Sequence, residues 1–259
     1  MTRMKKPSLS VVVITLNEER NIVRCLKSLR FSRKPDLVVV DAQSQDKTVA
    51  LARKLGARVF TRAWKGYGDQ KNWGFTQCRG EWVLSLDADE ELTPALCREI
   101  EGLLAQPPQD VDGYFLKRRA FFLGGWIKHC GWWPDAQLRL IRRGKGHFSH
   151  RPVHEDLEVG GKTLTLEESM NHYSYDTIRQ YLRKMNRYSD LFTQDASERK
   201  KKLWAWYMVT RPPWTFFRMY VLKLGFLDGL RGLQVCGLSA FHDFVKYAKL
   251  GEKGLLKNG

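Results

Sequence analysis

Trp82-Val-Leu-Ser-Leu-Asp-Ala-Asp89 is the stretch that best indicates the fold. Its first five residues are mostly apolar, which is typical of a short buried strand. Two carboxylates, Asp87 and Asp89, follow at once. Carboxylate oxygens suit Mg²⁺ or Mn²⁺, and proteins usually hold such ions through one or two carboxylates together with phosphates of the substrate. Two acids around one residue are common by chance, so their position after a strand is what makes them a candidate metal site.

Three similar apolar runs precede this one, and helical patterns separate them. The predicted strands cover residues 10–15, 37–40, 58–60 and 82–86, and the predicted helices cover residues 22–29, 49–55, 70–78 and 94–105. Pro94 suits the first position of the last helix, and Gly56 suits the end of the second. Short buried strands that alternate with helices imply a parallel sheet covered on both faces.

Polar residues follow three of the four predicted strands directly. Asn17 and Glu18 come after the first strand, Asp41 ends the second, and Asp87 and Asp89 end the fourth. In open α/β sheets, ligands bind beyond the carboxyl ends of the strands. Loops are commonly polar, so one such cluster would mean little, whereas three on one edge of the sheet favour a binding site.

The pattern changes in the second half of the chain. Further strand-like segments predict a mixed or antiparallel extension of the first sheet, and they cover residues 113–122, 137–142 and 162–166. From residue 176 onward, apolar residues recur every three or four positions, which predicts helices. We therefore expect one α/β domain over residues 1–175 and a helical extension over residues 176–259.

The chain is strongly basic, with 44 Lys and Arg against 28 Asp and Glu, a net charge of +16. Residues 176–259 alone hold 16 basic and 7 acidic residues, mixed with Trp and Phe. Such an excess indicates an anionic partner: nucleic acid, an acidic membrane surface or a phosphorylated substrate. Lys223, Asp228 and Arg231 interrupt the apolar stretch, which favours an amphipathic surface on anionic lipid over a spanning helix. The alternative is a helical cap on the sheet with solvated cations.

The cysteine pattern and the N-terminus bear on location. The five cysteines form no CxxC pair, which is typical of free thiols in a reducing compartment. The apolar run over residues 11–16 is too short for a signal peptide. These features predict a cytoplasmic protein that is not exported.

Eight motifs follow one another along the chain. The first four are Thr15-Leu-Asn-Glu-Glu19, Asp41-Ala-Gln-Ser-Gln-Asp46, Gln70-Lys-Asn72 and Asp87-Ala-Asp89. The others are Gly131-Trp-Trp-Pro-Asp135, Gln137-Leu-Arg-Leu-Ile-Arg142, Val153-His-Glu155 and His172-Tyr-Ser174. The first four resemble motifs of family 2 glycosyltransferases, and the longer series is similar to the lipopolysaccharide core β-1,4-glucosyltransferase branch of bacteria. Only Gln45, where Thr is often found, departs from the second motif.

The resemblance covers essentially the whole chain and implies the GT-A fold. That fold has a mostly parallel sheet flanked by helices, and it binds nucleotide-diphosphate sugars. Residues 1–106 would form the nucleotide-binding half of the domain, and residues 107–175 would form the acceptor half.

The resemblance also implies roles for single residues. The nucleotide-sugar pocket would contain Thr15, Asn17, Glu18, Asp41, Lys71 and Asp87. Asp89 would hold the divalent cation, Mg²⁺ or Mn²⁺, and His172 would approach that ion or the diphosphate. The residues alone leave other interpretations open: a solvated helix face for Lys71, a plain strand end for Thr15 and a structural, hydrogen-bonded histidine for His172.

Inverting sugar transfer requires a base that takes the proton of the acceptor hydroxyl. The resemblance assigns this role to Glu155, with Asp156 as the second choice, and the alternative is an acidic pair on the surface. Trp132 and Trp133 could pack against acceptor sugars, and Arg139 could bind acceptor phosphates. Core tryptophans and a solvated basic strand explain the same residues equally well.

These expectations predict an inverting glycosyltransferase that moves a sugar, glucose by preference, from a UDP-sugar to a lipid-linked saccharide such as the lipopolysaccharide inner core. The resemblance to a bacterial branch, together with the basic extension, implies a peripheral location on the inner face of the bacterial inner membrane. A different donor, or a polyprenyl-phosphate or capsule acceptor, is the alternative within this chemistry. A nucleic-acid-binding protein would leave the acidic strand ends unexplained, so we expect no nucleic-acid partner. A nucleotidyltransferase is disfavoured because no glycine-rich phosphate loop lies near the N-terminus.

Overall fold

The structure is a computed structural model that describes residues 9–149, 156–196, 200 and 202–255. The chain forms two compact units. The first unit contains residues 1–118 and 135–172, and the second contains residues 119–134 and 173–259. This division differs from the expected boundary at residue 175, because residues 119–134 pack with the C-terminal helices.

The elements are numbered in chain order. The strands are β1 (Leu9–Thr15), β2 (Asp36–Asp41), β3 (Arg58–Thr61), β4 (Trp82–Asp87), β5 (Glu90–Leu92), β6 (Val111–Phe122), β7 (Gly125–Trp126), β8 (Asp135–Arg142), β9 (Gly146–Phe148), β10 (Leu157–Val159) and β11 (Lys162–Tyr175). The helices are α1 (Ile22–Ser28), α2 (Thr48–Lys54), α3 (Tyr67–Thr76), α4 (Pro94–Ala105), α5 (Ile178–Asp195), α6 (Trp204–Phe217) and α7 (Gly229–Leu255). The α/β class and the predicted alternation of strands and helices are confirmed.

The large sheet is mixed. Four strands are parallel in the order β3-β2-β1-β4. The sheet then continues through β8, β6, β11 and β5, and β8 runs antiparallel to both β4 and β6. The predicted extension of the first sheet is therefore confirmed. β9 and β10 form a separate antiparallel pair.

Both faces of the parallel strands are buried. On β1, Val11 and Val13 belong to one apolar cluster, whereas Val12 and Ile14 belong to the other. Residues of α1, α2 and α4 complete the first cluster, and α3 packs against the second. This explains why the strands are continuous apolar runs without polar alternation. The sheet thus holds all its parallel carboxyl ends at one edge.

The second unit is mainly helical, as predicted. α5 begins with a reciprocal cap, in which Thr177 accepts from the Gln180 amide and the Gln180 side chain accepts from the Thr177 amide. The apolar core of the second unit contains Phe122 and Ile127 from residues 119–134 together with Val235 from α7. None of the helices in the described ranges has the length and apolar character needed to cross a membrane.

Gly74 tests how tightly α3 packs on the sheet. A Cβ at this position would lie 2.6 Å from Cγ1 of Val12 and 3.1 Å from Cγ2 of Val40. Gly74→Ala is expected to lower the free energy of unfolding by about 1–3 kcal/mol, because overpacking forces neighbouring groups to move. Urea unfolding followed by circular dichroism measures the change.

Gly102 provides the matched control on α4. A Cβ there would meet nothing within 4 Å. Gly102→Ala should therefore raise the free energy of unfolding by about 0.5–1 kcal/mol through helix propensity alone. Wild-type stability in Gly74→Ala would contradict the close packing of α3.

Candidate active site

A set of ion pairs surrounds the end of β4. The Asp87 carboxylate is half-buried, and a different cation engages each of its oxygens. Lys71 Nζ on α3 lies 3.0 Å from Oδ1, and an Arg139 terminal nitrogen on β8 donates to Oδ2 at 2.7 Å. Both cations are buried. Asp87 therefore joins a helix and a neighbouring strand at the carboxyl edge of the parallel sheet.

Glu90 extends this set of ion pairs beneath the surface. Its carboxylate is fully buried and accepts from Arg139 at 2.8 Å, from Arg118 at 3.1 Å and from the Asp87 amide at 2.9 Å. Arg118 also binds Asp135 through two nitrogens. Three cations thus face three carboxylates, so the buried charges are balanced. We call these six residues the β4 charge network: Lys71, Asp87, Glu90, Arg118, Asp135 and Arg139.

The network fixes the ionisation of its members. Partial burial opposes ionisation of Asp87, but Arg139 and Lys71 outweigh it and hold the pKa of this carboxyl well below its usual range. Burial opposes the charge of Arg139 as well, and Asp87 and Glu90 more than offset this effect, so its pKa is raised. At neutral pH, Asp87 is therefore a carboxylate whose charge is already compensated.

Asp89 and His172 come together through a strand pairing. In the β5–β11 pair, His172 lies opposite Glu90, and Asn171 lies opposite Glu91. This register places His172 Nε2 3.4 Å from Asp89 Oδ2. Both side chains are partly exposed, so they present one oxygen and one nitrogen donor at the edge of the sheet.

The donor set fits a metal ion that is held jointly with a substrate. Within the described ranges, no three His, Cys, Asp or Glu side chains are arranged to hold an ion by themselves. Mg²⁺ and Mn²⁺ need only one or two protein ligands when phosphate oxygens complete the coordination. Burial raises the pKa of Glu18, and the negative charges of Asp89 and Asp87 raise it further. A bound cation would offset this accumulation of negative charge.

Asp41 lies at the end of β2 and holds the loop that follows. Its Oδ1 accepts from Thr15 Oγ1 at 2.9 Å and from Ser44 Oγ at 2.6 Å, and its Oδ2 accepts from the Ser44 amide at 2.9 Å. Thr15 and Asp41 are both buried. These bonds give Asp41 a role in holding the loop, and its expected contact with a base or ribose stays a prediction.

Asn17 and Glu18 lie in the loop after β1, which is tied to the loop after β2. The Asn17 amide donates to Ser44 Oγ at 2.8 Å, and Asn17 Oδ1 accepts from the Gln45 amide at 2.8 Å. The Glu18 amide donates to Thr48 Oγ1 at 2.8 Å. Asn17 has a φ of 55°, a left-handed conformation that Asn tolerates better than most residues. The two loops therefore form one connected rim beside Asp87 and Asp89.

The Gln70-Lys-Asn72 motif connects the charge network to β9. Asn72 Nδ2 donates to the Phe148 carbonyl at 2.9 Å, and Asn72 Oδ1 accepts from the Phe148 amide at 2.7 Å. Lys71 Nζ also lies 4.8 Å from the centre of the Phe148 ring. This motif thus fixes the chain shortly before residues 150–155, a segment that includes Glu155 and lies outside the described residues.

Asp156 and the remaining predicted residues lie in different surroundings. Asp156 is exposed, and its amide donates to Ser149 Oγ at 3.2 Å. Trp132 and Trp133 belong to the second unit, where the partly buried Trp132 packs against the apolar core and Trp133 meets Trp126 edge-on at 5.5 Å. Arg139 was expected to face the acceptor, but it is buried against Asp87 and Glu90, which favours a positioning role.

Glu90, Arg118 and Asn72 lie outside the set of site residues predicted from sequence. Glu90 directly follows the Asp87-Ala-Asp89 motif, and its place beside two strand-end acids was a usable signal. Arg118 carried no such signal, because its partners come from β5 and β8, which meet it only after the antiparallel strands assemble.

Comparisons with known proteins identify a family for this chain. The model of glycosyl transferase family 2 matches residues 10–154. An uncharacterised glycosyltransferase of Rickettsia conorii is 30% identical, and the alignment covers 98% of this chain and 94% of that protein. The lipopolysaccharide core biosynthesis glycosyltransferase LpsC of Rhizobium meliloti is 31% identical, with 97% of this chain and 95% of LpsC covered.

A solved structure supports the fold. The mannosyltransferase PcManGT of Pyrobaculum calidifontis superposes with a TM-score of 0.58, at 15% identity, over 95% of this chain and 88% of that one. The GT-A type of α/β fold is therefore confirmed, and the match to the family model spans more than half of the sequence. The chain belongs to glycosyl transferase family 2.

Proposed function

We propose that the protein is a metal-dependent, inverting glycosyltransferase that moves glucose from UDP-glucose to a lipid-linked saccharide of the lipopolysaccharide inner core. The observation that carries the proposal is the Asp89–His172 pair beside the compensated Asp87, at the carboxyl edge of four parallel strands. The similarity to LpsC along nearly the whole chain supports the acceptor class. A polyprenyl-phosphate or capsule acceptor is the alternative for the same chemistry.

The donor would bind across the joined loops after β1 and β2. Asn17 and Glu18 lie on that rim, whereas Thr15 and Asp41 hold it from beneath. Lys71 and Asp87 lie at the neighbouring strand end, where the ribose and sugar of the donor would extend. Because Asp87 is already paired with two cations, it offers hydrogen-bond acceptance to a donor hydroxyl at little additional cost in charge.

Asp89 and His172 are the residues that would hold the metal. The ion, Mg²⁺ or Mn²⁺, would neutralise charge on the diphosphate leaving group. PcManGT, which shares the fold, was solved with GDP-mannose and Mn²⁺. Asp87 is the less suitable ligand of the two aspartates, because Lys71 and Arg139 engage both of its oxygens.

Glu155 would act as the catalytic base, with Asp156 as the second choice. The carboxylate takes the proton of the acceptor hydroxyl while that oxygen forms a bond to the anomeric carbon. The bond from the anomeric carbon to the diphosphate breaks on the opposite side, so the configuration inverts. A positioned base contributes about 10²–10⁴-fold to such a step. The two hydrogen bonds between the Asn72 side chain and the Phe148 backbone would help to hold the chain that leads to Glu155.

Trp132 and Trp133 are proposed as acceptor contacts through stacking on sugar rings, since both are partly buried aromatic side chains. Arg139 is assigned to the support of Asp87 and Glu90 instead.

A donor screen tests the reaction directly. Purified protein is mixed with a lipid-linked core saccharide and with UDP-glucose, UDP-galactose, UDP-GlcNAc or GDP-mannose, each with and without Mg²⁺ or Mn²⁺. We expect acceptor-dependent nucleotide release with UDP-glucose and only in the presence of metal. Preference for another donor would reject the glucose assignment, and equal release without acceptor would reject the saccharide acceptor.

Asp89→Ala tests the metal site. The variant should lose metal-dependent UDP binding, measured by calorimetry, because the carboxylate ligand is gone. Its melting temperature should stay within a few degrees of the wild type, since Asp89 is partly exposed. Asp110→Asn is the control, because Asp110 is an exposed carboxylate that pairs with Lys162. Unchanged metal dependence in Asp89→Ala would remove Asp89 from the site.

Glu155→Gln tests the base while keeping the shape of the side chain. Transfer should fall by at least about 10²-fold, the usual contribution of a general base, with little change in UDP-glucose affinity. Asp156→Asn should retain most activity. The reverse result, full activity in Glu155→Gln and loss in Asp156→Asn, would assign the role to Asp156.

A further inference from the structure

The second unit carries an unusual group of exposed apolar side chains at one bend. α6 and α7 form an antiparallel hairpin, in which Gly251 lies against the Trp204 ring and Thr215 donates to Asp243. Residues 218–228 form the bend, and six side chains at or next to it are between 42% and 71% exposed. We call these six residues the apolar tip: Val221, Leu222, Leu224, Phe226, Leu227 and Leu230.

The backbone of the bend is firmly held, so this exposure is a fixed feature of the unit. The Cys130 amide donates to the Lys223 carbonyl at 3.1 Å, and buried Gly225 packs against the sulfur atoms of Cys130 and Cys236. The Asp228 carboxylate accepts from the amides of Lys128 and His129. Because the backbone faces inward, the large apolar side chains are directed to solvent.

Soluble proteins rarely expose so many large apolar side chains in one short segment, and such patches mark interaction surfaces. Aromatic side chains continue the surface along α6, where Trp214 and Phe217 are also exposed. The tip contains leucine, valine and phenylalanine but no polar side chain that would recognise a specific protein partner by hydrogen bonding.

The charges around the tip have one sign. Between residues 216 and 242, the basic side chains Arg218, Lys223 and Arg231 are all exposed. The single carboxylate in that stretch, Asp228, is buried beside His129. Exposed cations around an apolar tip complement a surface that has an apolar interior and negative headgroups.

We propose that the apolar tip inserts into the interfacial layer of an anionic lipid bilayer, with the surrounding cations at the level of the headgroups. Insertion of six apolar side chains supplies an attraction that salt does not remove. The cations add an attraction that salt screens. The proposal thus limits membrane contact to the apolar tip and its neighbouring cations, a small part of the basic extension over residues 176–259.

Vesicle flotation tests the proposal. Wild-type protein is mixed with vesicles of phosphatidylcholine and phosphatidylglycerol, with vesicles of phosphatidylcholine alone, and with no vesicles, at low and high salt. We expect strongest binding to the anionic vesicles, weakened but retained at high salt. An equal fraction of protein in the floated layer with anionic, neutral and no vesicles would overturn the proposal. Because no donor or acceptor is present, that failure would leave the proposed sugar transfer untouched.

Three exposed leucines of the tip provide the decisive variant. Leu222→Ser/Leu227→Ser/Leu230→Ser should lower vesicle binding by at least about tenfold, because their apolar surface no longer leaves water. Leu164→Ser/Leu182→Ser/Leu203→Ser is the matched control, since these leucines are exposed elsewhere in the chain. Equal loss in both variants would reject a specific role for the tip. Arg218→Gln/Lys223→Gln should remove only part of the salt-sensitive binding.

Two more measurements distinguish insertion into lipid from self-association of the chain. Leu227→Trp keeps the tip apolar and adds a tenth tryptophan to the chain. The emission of the added tryptophan, taken as the difference between the variant and wild-type spectra, should shift to the blue and be quenched by brominated lipid when vesicles are added. Unchanged emission would overturn insertion even if the serine variant fails to fold. Sedimentation velocity without lipid tests a second copy of the chain as occupant: a wild-type dimer that the serine variant abolishes, together with no vesicle binding, would also overturn the proposal.

Discussion

The double ion pair of Asp87 with Lys71 and Arg139 is the interaction on which the site depends. A carboxylate at the end of a buried strand is costly unless cations compensate it, and removing one partner of a buried pair commonly costs about 3–5 kcal/mol. Lys71 comes from α3, Arg139 from β8, and Glu90 links both arginines to β5. Charge compensation thereby fixes the strand end from which the next two residues project.

This arrangement gives two aspartates that are two residues apart different chemistry. Asp87 has its negative charge balanced by protein cations, whereas Asp89 lies beside the imidazole of His172 at the partly exposed edge. Asp87 is thus part of the support, whereas Asp89 lies with His172 at the partly exposed edge. Asn72 extends the same support toward β9, so a single helix, α3, orders both the strand end and the chain that precedes residue 150.

The sequence was sufficient for the parallel half of the fold, because β1, β2 and β4 are short apolar runs that end in polar residues and alternate with helices. It was less informative where contacts are distant. β5 has only three residues, too few for a periodic pattern, yet its register with β11 brings His172 to Asp89. The buried positions of Arg139 and Asp41 also could not be predicted, because a polar residue in a strand or loop does not reveal its partners before the sheet assembles.

The second unit is assembled from two separate pieces of the chain, residues 119–134 and 173–259. Phe122, Ile127 and Cys130 of the first piece are almost fully buried in its core, beside Val235 and Cys236 of α7. Recombination between relatives at a single crossover near residue 175 would place one parent's helices on the other parent's loop and leave this core mismatched. Exchange of the C-terminal helices would succeed only if the short piece travelled with them, so the two pieces are expected to evolve as one inherited block.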